Sequence, residues 1–240
     1  MKLQQIMSKT RKAVDDYKMI NENDNIAVGI SGGKDSLALL HALAGMRRFY
    51  PIHYSLIAIT CDLGFKNVDF NEIKKLCEEL DVKYYIVESD ISDIVFNVRK
   101  EENPCSLCAK MRKGAMYNFL KEVGCSKIAY AHHQDDVVET YMMSLIYEGR
   151  QNTFSPVTFL DRTGVTVIRP FIYMKEADII GFVKANNVPV LKSPCPVDGY
   201  TKRQYAKDLL KSINEEAPGV RDRIFTAIQN SNIKGWNLDK

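Results

Sequence analysis

Two patterns of hydrophobic and polar positions recur along the chain, and each predicts one kind of element. Short stretches that are apolar throughout predict strands at 26–30, 56–61, 84–87, 128–131 and 165–168. Segments whose apolar residues recur every three or four positions predict helices at 37–49, 70–80, 106–123, 135–147, 175–185, 203–213 and 220–229. Because the strands are apolar on both faces and alternate with helices, we expect an α/β fold with a doubly wound parallel sheet.

The same pattern divides the chain into three regions. Residues 25–190 contain all of the predicted strands and form the α/β domain. Residues 1–24 are a basic helical segment before it, and residues 191–240 are a helical tail after it. Neither flank has enough apolar residues to be an independent domain.

Composition narrows the class of protein. The chain has 240 residues, of which 45% are hydrophobic and 26% charged, as is typical of globular proteins and not of disordered or fibrous ones. Its 33 basic and 30 acidic residues give a net charge of +3, which excludes a protein that binds nucleic acid by bulk charge alone. No apolar run approaches the ~18 residues of a membrane span, and no secretory signal is found. We therefore expect a cytoplasmic protein with no membrane partner.

A glycine-rich turn follows the first predicted strand and leads into a helix. Backbone N–H groups in such a turn, a helix N-terminus, hydroxyls and a lysine are groups that bind phosphate. The candidate phosphate-binding residues are Ser31, Gly32, Gly33, Lys34, Asp35 and Ser36. Their spacing matches neither the loop of kinases and GTPases nor that of dinucleotide-binding folds. The alternative is a structural turn whose Ser or Asp caps the helix.

Polar side chains also follow two other predicted strands. Asp62 follows the second strand, and His132, Asp135 and Asp136 follow the fourth. Ligands of open α/β sheets bind at the carboxyl ends of the strands, so we expect these side chains to share one crevice with the turn at 31–36. Carboxylates there would bind the Mg²⁺ that accompanies nucleotide phosphates. The alternative is that the acids only stabilise a helix N-terminus.

Three of the six cysteines stand in unusual contexts. Cys105 and Cys108 form a C-x-x-C pair at the start of a predicted helix, whose dipole favours the thiolate. Cys195 lies between Pro194 and Pro196, which leave it little freedom to be a helical core residue. Four interpretations stay open: a structural zinc site without an obvious fourth ligand, a redox dithiol, packing residues, and an iron–sulfur cluster whose three thiolates leave one iron open.

Positive charge is concentrated in two segments. Residues 1–18 carry five basic and two acidic side chains, and residues 99–113 also carry five and two, so each segment has a net charge of +3. The remainder of the chain is therefore net negative. Segregated charge of this kind suits a polyanion such as RNA, and the alternative is an ordinary solvated surface.

The turn at 31–36 resembles the PP-loop of the N-type ATP pyrophosphatases, which have the adenine nucleotide alpha-hydrolase-like fold. Those enzymes cleave ATP between the α- and β-phosphates and adenylate a carbonyl or amide oxygen. The resemblance implies that residues 25–190 are a PP-loop ATP pyrophosphatase domain and that the loop binds the leaving pyrophosphate. Members differ in substrate, so this motif implies a reaction class only.

Along nearly its whole length the chain is similar to the tRNA 2-thiocytidine synthetases, the TtcA family. The matching stretches are 2–4, 31–36, 105–108, 131–136, 168–171, 194–195, 223–225 and 229–230. The similarity implies a tRNA sulfurtransferase that depends on ATP and Mg²⁺, adenylates the C2 oxygen of an anticodon-loop cytidine and replaces it by sulfur.

The similarity also implies roles for individual residues. Cys105, Cys108 and Cys195 fall on the positions that ligate a [4Fe–4S] cluster in that family. Asp136 matches a residue required for activity, and Arg112, one helical turn past Cys108, matches a cationic catalytic position. These two residues and Asp135 are the candidate catalytic residues.

Two departures from the family lie on the substrate side. No cysteine follows Cys195 closely, and the loop after Asp62 reads Leu-Gly-Phe-Lys instead of a longer segment rich in Gln and Lys. The target base therefore stays open between cytidine and uridine. The rivals are a 2-thiouridine-forming thiolase, a lysidine-type ligase, which would need no cysteine triad, and a non-catalytic, zinc-stapled RNA-binding protein. The expected partners are a tRNA anticodon loop and a sulfur donor such as a cysteine desulfurase or free sulfide, and a homodimer stays open.

Overall fold

One mixed sheet forms the centre of the protein. It is seen in a computed structural model that describes residues 1–100, 104–192, 194–196 and 202–237. The strands are β1 (Asp24–Gly29), β2 (Tyr54–Cys61), β3 (Lys83–Val87), β4 (Lys127–Ala129), β5 (Val157–Leu160) and β6 (Val165–Ile168). Their order is β3-β2-β1-β4-β6-β5, with β5 antiparallel to β6 and all other neighbours parallel.

Helices cover both faces of this sheet. Those of the described residues are α1 (Leu3–Asp16), α2 (Lys34–Met46), α3 (Asn71–Glu79), α4 (Ile91–Asp93), α5 (Pro104–Glu122), α6 (Gln134–Glu148), α7 (Glu176–Ala185), α8 (Lys202–Glu216) and α9 (Val220–Gln229). A π-helical turn, Ile94–Val98, continues α4. No helix of the described part of the chain is long and apolar enough to cross a membrane.

The predicted α/β fold with a doubly wound sheet is confirmed, and every predicted helix and strand has a counterpart. The prediction missed β5, α4 and the π-helical turn. β5 gave no signal because it is an edge strand of a hairpin, with Phe159 61% exposed and no continuous apolar face. Glu101 and Glu102 belong to the predicted basic segment at 99–113 and lie outside the described residues. So do residues 197–199, where the chain lacks the cysteine that often follows Cys195 in the family.

Alternating side chains of the central strands enter two separate cores. Ile26 and Val28 of β1 pack on the side of α1, α2 and α7, whereas Ala27 packs with Ile128 and the side chains of α5. Burial on both faces explains why these strands read as continuous apolar runs. The tail closes over the first core, where Trp236 is buried and donates its Nε1–H to the carbonyl of Phe154 (3.1 Å).

Candidate active site

The turn between β1 and α2 closes on itself through serine hydroxyls. Ser36 Oγ donates to the carbonyl of Gly33 (2.9 Å) and accepts the backbone N–H of Ser31 (3.2 Å). α2 begins at Lys34, so the N–H groups of its first turn have no helical acceptor. These N–H groups and the helix dipole make the carboxyl end of β1 a place where an anion binds favourably.

Position 32 requires glycine because of both its backbone conformation and its close neighbours. Its φ is +80°, and a Cβ at this position would lie 3.1 Å from Cβ of Leu191. The backbone N–H of Leu191 donates to the carbonyl of Gly32 (2.9 Å). The segment that precedes Cys195 therefore packs directly on the phosphate loop.

A cavity of about 320 Å³ opens beside this loop, at the carboxyl ends of β1, β2 and β4. β1 lies between β2 and β4, so the cavity stands where the strand order reverses, the usual ligand position in such sheets. The predicted site residues that line it are Ser31, Asp35, Ser36, Asp62, Arg112, His132 and Asp136. The predicted site residues that do not line it are Gly32, Gly33, Lys34, Asp135, Cys105, Cys108 and Cys195.

Lys34 does not line the cavity, and its ammonium group belongs to a chain of ion pairs. Its Nζ lies 3.0 Å from Asp35 Oδ2 and 3.0 Å from Glu176 Oε1, and Glu176 in turn pairs with Lys207 at 2.9 Å. Burial raises the pKa of Glu176, but hydrogen bonds from Lys207 and Lys34 outweigh it and lower the pKa to about 2. Lys34 thus links the phosphate loop to α7 and α8 in this conformation.

His132 lines the cavity as a neutral imidazole. Burial, reinforced by the charge of Arg169, lowers its pKa to about 3. Its ring packs between Tyr130 and Phe154, with centroid distances of 5.9 and 5.0 Å. Its Nδ1 is buried without a hydrogen-bond partner, which is an unfavourable state that a ligand or water molecule would relieve.

Asp136 is held by two different parts of the chain, the start of α6 and α8. Its Oδ2 accepts the backbone N–H of His133 (3.0 Å), and its Oδ1 accepts an N–H of Arg203 (2.7 Å). His133 Nε2 stands 3.4 Å from Asp136 Oδ2 and 3.9 Å from Asp35 Oδ1. His133 therefore bridges the acid of the phosphate loop and the acid of α6, and neither it nor Arg203 was among the predicted site residues.

Asp135 faces α7 and α9 instead of the cavity. Its Oδ2 accepts the backbone N–H of Glu176 at the start of α7 (2.8 Å), and its Oδ1 pairs with Arg221 of α9 (3.2 Å). These contacts assign Asp135 a scaffold role in this conformation. A catalytic role for it stays a prediction.

The α5 wall of the cavity is positively charged. Arg112 and Lys113 line it, and no ion pair is found for either within the part of the chain that the structure describes. Burial, together with the charges of Arg169 and Arg112, lowers the pKa of Lys113. Asp35, Asp62 and Asp136 line other parts of the cavity, which therefore has an acidic and a basic side.

The three candidate ligand cysteines lie beyond this basic wall. Cys105 is exposed, and Cys108 and Cys195 are half-buried. Burial raises the pKa of Cys108; Arg112 opposes the rise, and the charges of Cys195 and Cys105 add to it. The thiols are therefore close enough to sense one another, although among the residues described no three Cys, His, Asp or Glu side chains converge on a single ion.

The basic segment at the N-terminus is largely neutralised by its own surroundings. Lys9 pairs with Asp178 (2.5 Å), Arg11 with Asp15 (3.3 Å) and Lys12 with Asp16 (2.6 Å). RNA that binds to α1 would have to replace these ion pairs, and such binding stays a prediction.

The mostly parallel sheet, the serine-closed loop and the cavity at the strand reversal define a nucleotide-binding protein of the PP-loop class. The family model described as a PP-loop domain matches residues 2–210. The chain belongs to this family, and within it to the tRNA-cytidine(32) 2-sulfurtransferases, with which it shares more than a third of its residues over most of its length.

Three proteins illustrate the relationship. The tRNA-cytidine(32) 2-sulfurtransferase of Geobacter sulfurreducens is 36% identical over 91% of this chain and 86% of its own, and that of Alcanivorax borkumensis is 35% identical over 92% and 78%. A solved structure, the U34-tRNA thiolase NcsA from Methanococcus maripaludis with its [4Fe–4S] cluster, is 26% identical. It superimposes with a TM-score of 0.74 over 92% of this chain and 76% of that one.

Proposed function

We propose that the protein is an ATP-dependent tRNA sulfurtransferase that replaces the C2 oxygen of an anticodon-loop cytidine by sulfur and uses a [4Fe–4S] cluster to do so. One observation carries the proposal: a single cavity is lined by Ser31 and Ser36 of the phosphate loop, by Arg112 of the helix that carries Cys105 and Cys108, and by Pro194 next to Cys195. The names of the relatives, and the cluster in the similar thiolase, support it.

The nucleotide side of the cavity fits Mg²⁺ and ATP. Ser31, Ser36 and the N–H groups of the first turn of α2 would bind the phosphates that leave as pyrophosphate. Asp35 Oδ1 is buried without a hydrogen-bond partner, which a bound cation would satisfy. Mg²⁺ sites on nucleotides use one or two carboxylates together with phosphate oxygens, and Asp35 and Asp136 supply such a pair, bridged by His133.

The cysteine side fits a cluster better than a single metal ion. Each thiolate of a cluster binds its own iron, so its ligands stand further apart than those of zinc. Cys105 and Cys195 are each close enough to Cys108 to raise the pKa of its thiol, and among the described residues no three metal-ligating side chains converge on one point. When bound there, a cluster would supply sulfur chemistry at the edge of the cavity.

The residues of the chain account for the adenylation half of the reaction. Arg112 and Lys113 line the cavity, where their positive charge would stabilise the negative charge that develops on the α-phosphate as the base oxygen attacks. His132 stays neutral over the working pH range, so it accepts or donates a hydrogen bond without adding charge. A base that enters this cavity must leave its stack in the anticodon loop.

The direct test is a reaction with defined components. Anaerobically reconstituted protein, Mg·ATP, sulfide and unmodified tRNA are incubated, and the nucleosides are analysed by mass spectrometry. We expect 2-thiocytidine, with AMP and pyrophosphate in equal amounts. 2-Thiouridine instead would identify the rival thiolase. A colourless protein with stoichiometric zinc and no thiolated base would identify the RNA-binding alternative.

The remaining partners follow from the chemistry. We propose free sulfide or a cysteine desulfurase as the sulfur donor, tRNA as the substrate and the cytoplasm as the location. Replacing sulfide by a desulfurase with cysteine in the same reaction tests the donor.

A further inference from the structure

The first turn of α8 makes a direct contact with a carboxylate of the candidate active site. Arg203 Nη1 donates to Asp136 Oδ1 at 2.7 Å, and Nη2 donates to Thr140 Oγ1 at 3.2 Å. Asp136 and Thr140 are one helical turn apart on α6, so the guanidinium spans that turn. Both of its terminal nitrogens are thus engaged, which fixes its plane against the carboxylate.

The contact leaves Asp136 able to bind a metal ion. A carboxylate has about four lone-pair sites, and Asp136 uses one on Oδ1 for Arg203 and one on Oδ2 for the N–H of His133. The two anchors come from different parts of the chain, one from the start of α6 and one from α8. They hold the carboxylate in one rotamer and leave a second lone-pair site on Oδ1, whereas Oδ2 also has His133 Nε2 at 3.4 Å.

The positive charge of Arg203 also offsets the acidic side chains that lie close together near the start of α6. Glu139, one turn past Asp136, is only 2% exposed. Burial raises its pKa, the charge of Asp136 raises it further, and Lys207, Arg203 and Arg221 oppose the rise. Arg203 Nη1 lies 3.8 Å from Glu139 Oε2. Arg221 also pairs with Glu139, at 3.5 Å, but among the described residues Arg203 is the cation that contacts both Asp136 and Glu139.

We propose that Arg203 is a positioning residue for adenylation, which holds the Asp136 carboxylate in the orientation that receives the Mg²⁺ of Mg·ATP. The inference rests on the proposed function and goes beyond it, since it assigns to α8 a part in metal binding. Arg203 itself does not line the cavity, so its effect passes through Asp136.

The test separates Mg²⁺ dependence from ATP affinity. Pyrophosphate release with tRNA is measured in the full-length, cluster-loaded protein at several Mg²⁺ concentrations, for Arg203→Met and Arg203→Lys. A hydrogen bond to a charged group contributes about 1.5–3 kcal/mol, so we expect Arg203→Met to raise the half-saturating Mg²⁺ concentration by about tenfold or more. At saturating Mg²⁺ the KM for ATP should change little, and Arg203→Lys should restore part of the loss.

Two further variants separate positioning from folding. Arg223→Met is the matched control, because Arg223 also makes two hydrogen bonds but only to the backbone carbonyls of Pro218 and Ala217. Thr140→Val removes the second anchor of Arg203 and no charge, so a small rise in the same Mg²⁺ requirement, with unchanged Tm and iron content, supports the inference.

Two outcomes would overturn it. In the first, Arg203→Met lowers Tm or iron content and leaves the Mg²⁺ dependence unchanged. In the second, it has no effect although Asp136→Asn is inactive. Failure of the proposed function is distinguishable, because the parent protein would then form no 2-thiocytidine, whatever the Mg²⁺ dependence of the Arg203 variants.

Discussion

The two sides of the cavity are built in opposite ways. The phosphate loop of the nucleotide side comes from one continuous segment, β1, the loop and α2, in which residues from Ser36 to Leu40 are almost completely buried. The cysteine side joins Cys108 to Cys195, which lie 87 residues apart (195 − 108), and its thiols are half-buried or exposed. The phosphate loop is formed by neighbouring residues of the chain, whereas the cysteine site depends on how the tail returns to α5. The two should therefore be separable by mutation.

The largest effect is expected on the nucleotide side. Ser36→Ala removes the hydroxyl that closes the loop between Ser31 and Gly33, and Asp35→Ala removes a candidate Mg²⁺ ligand. By analogy with loss of one preorganised donor, each should lower ATP-dependent pyrophosphate release by about 10²–10³-fold. Iron content and visible absorbance should stay at the level of the parent protein. Loss of the cluster in these variants would show that the two sides are not separable.

The different construction also explains what the sequence could predict. The phosphate loop was predictable because strand, turn and helix are contiguous and the glycine and serine positions have local reasons. Cys195 could be assigned only by resemblance, since nothing near it in sequence indicates its partner. Arg203 and Arg221 were missed because they pair with Asp136 and Asp135 across 67 and 86 residues, and such pairs leave no local pattern.

One prediction was only half right for a similar reason. The acids at the start of α6 were expected to face the crevice together. Asp136 does so, but successive helical residues point about 100° apart, and Asp135 is directed to α7 and α9. The hydrophobic pattern predicts that α6 begins here, and only the neighbours of each side chain decide which acid enters the cavity.

A smaller effect should appear in the pH dependence of stability. The pKa of His132 is about 3 in the folded protein and about 6.5 in the unfolded chain. Between pH 3 and pH 6.5 the unfolded chain therefore binds a proton at His132 that the folded protein does not bind. The free energy of unfolding should therefore fall as pH drops below about 6.5, by roughly 1.4 kcal/mol at pH 5.5 from this residue. Urea titrations of the parent and His132→Asn should show a shallower acid slope in the variant.

His53 provides the control for that measurement. Its side chain is 86% exposed, so His53→Asn shows how far a His-to-Asn replacement at an exposed position changes the slope. Equal slopes for the parent and His132→Asn would contradict a buried neutral His132.

The smallest effect is expected at the surface of α1. Lys9, Arg11 and Lys12 already have carboxylate partners, so tRNA would gain little from them. Reversing all three charges should weaken tRNA binding and lower the log–log salt slope by at most ~0.7–0.9 for each RNA phosphate that the variant no longer neutralises. An unchanged slope in filter-binding assays would mean that α1 does not bind the RNA.

The proposed cluster site requires that Cys195 belongs to the same site as Cys105 and Cys108. Iron content and visible absorbance of anaerobically reconstituted Cys195→Ser, with ATP binding measured on the same sample, test it directly. Cys125→Ser is the matched control, because Cys125 is buried and donates to the backbone carbonyls of Asn25 and Lys127, near the amino ends of β1 and β4 and away from the cavity. We predict that Cys195→Ser loses iron, absorbance and tRNA thiolation while ATP binding is largely kept, and that Cys125→Ser keeps all four. A Cys195→Ser protein with full iron content and full thiolation would contradict the account.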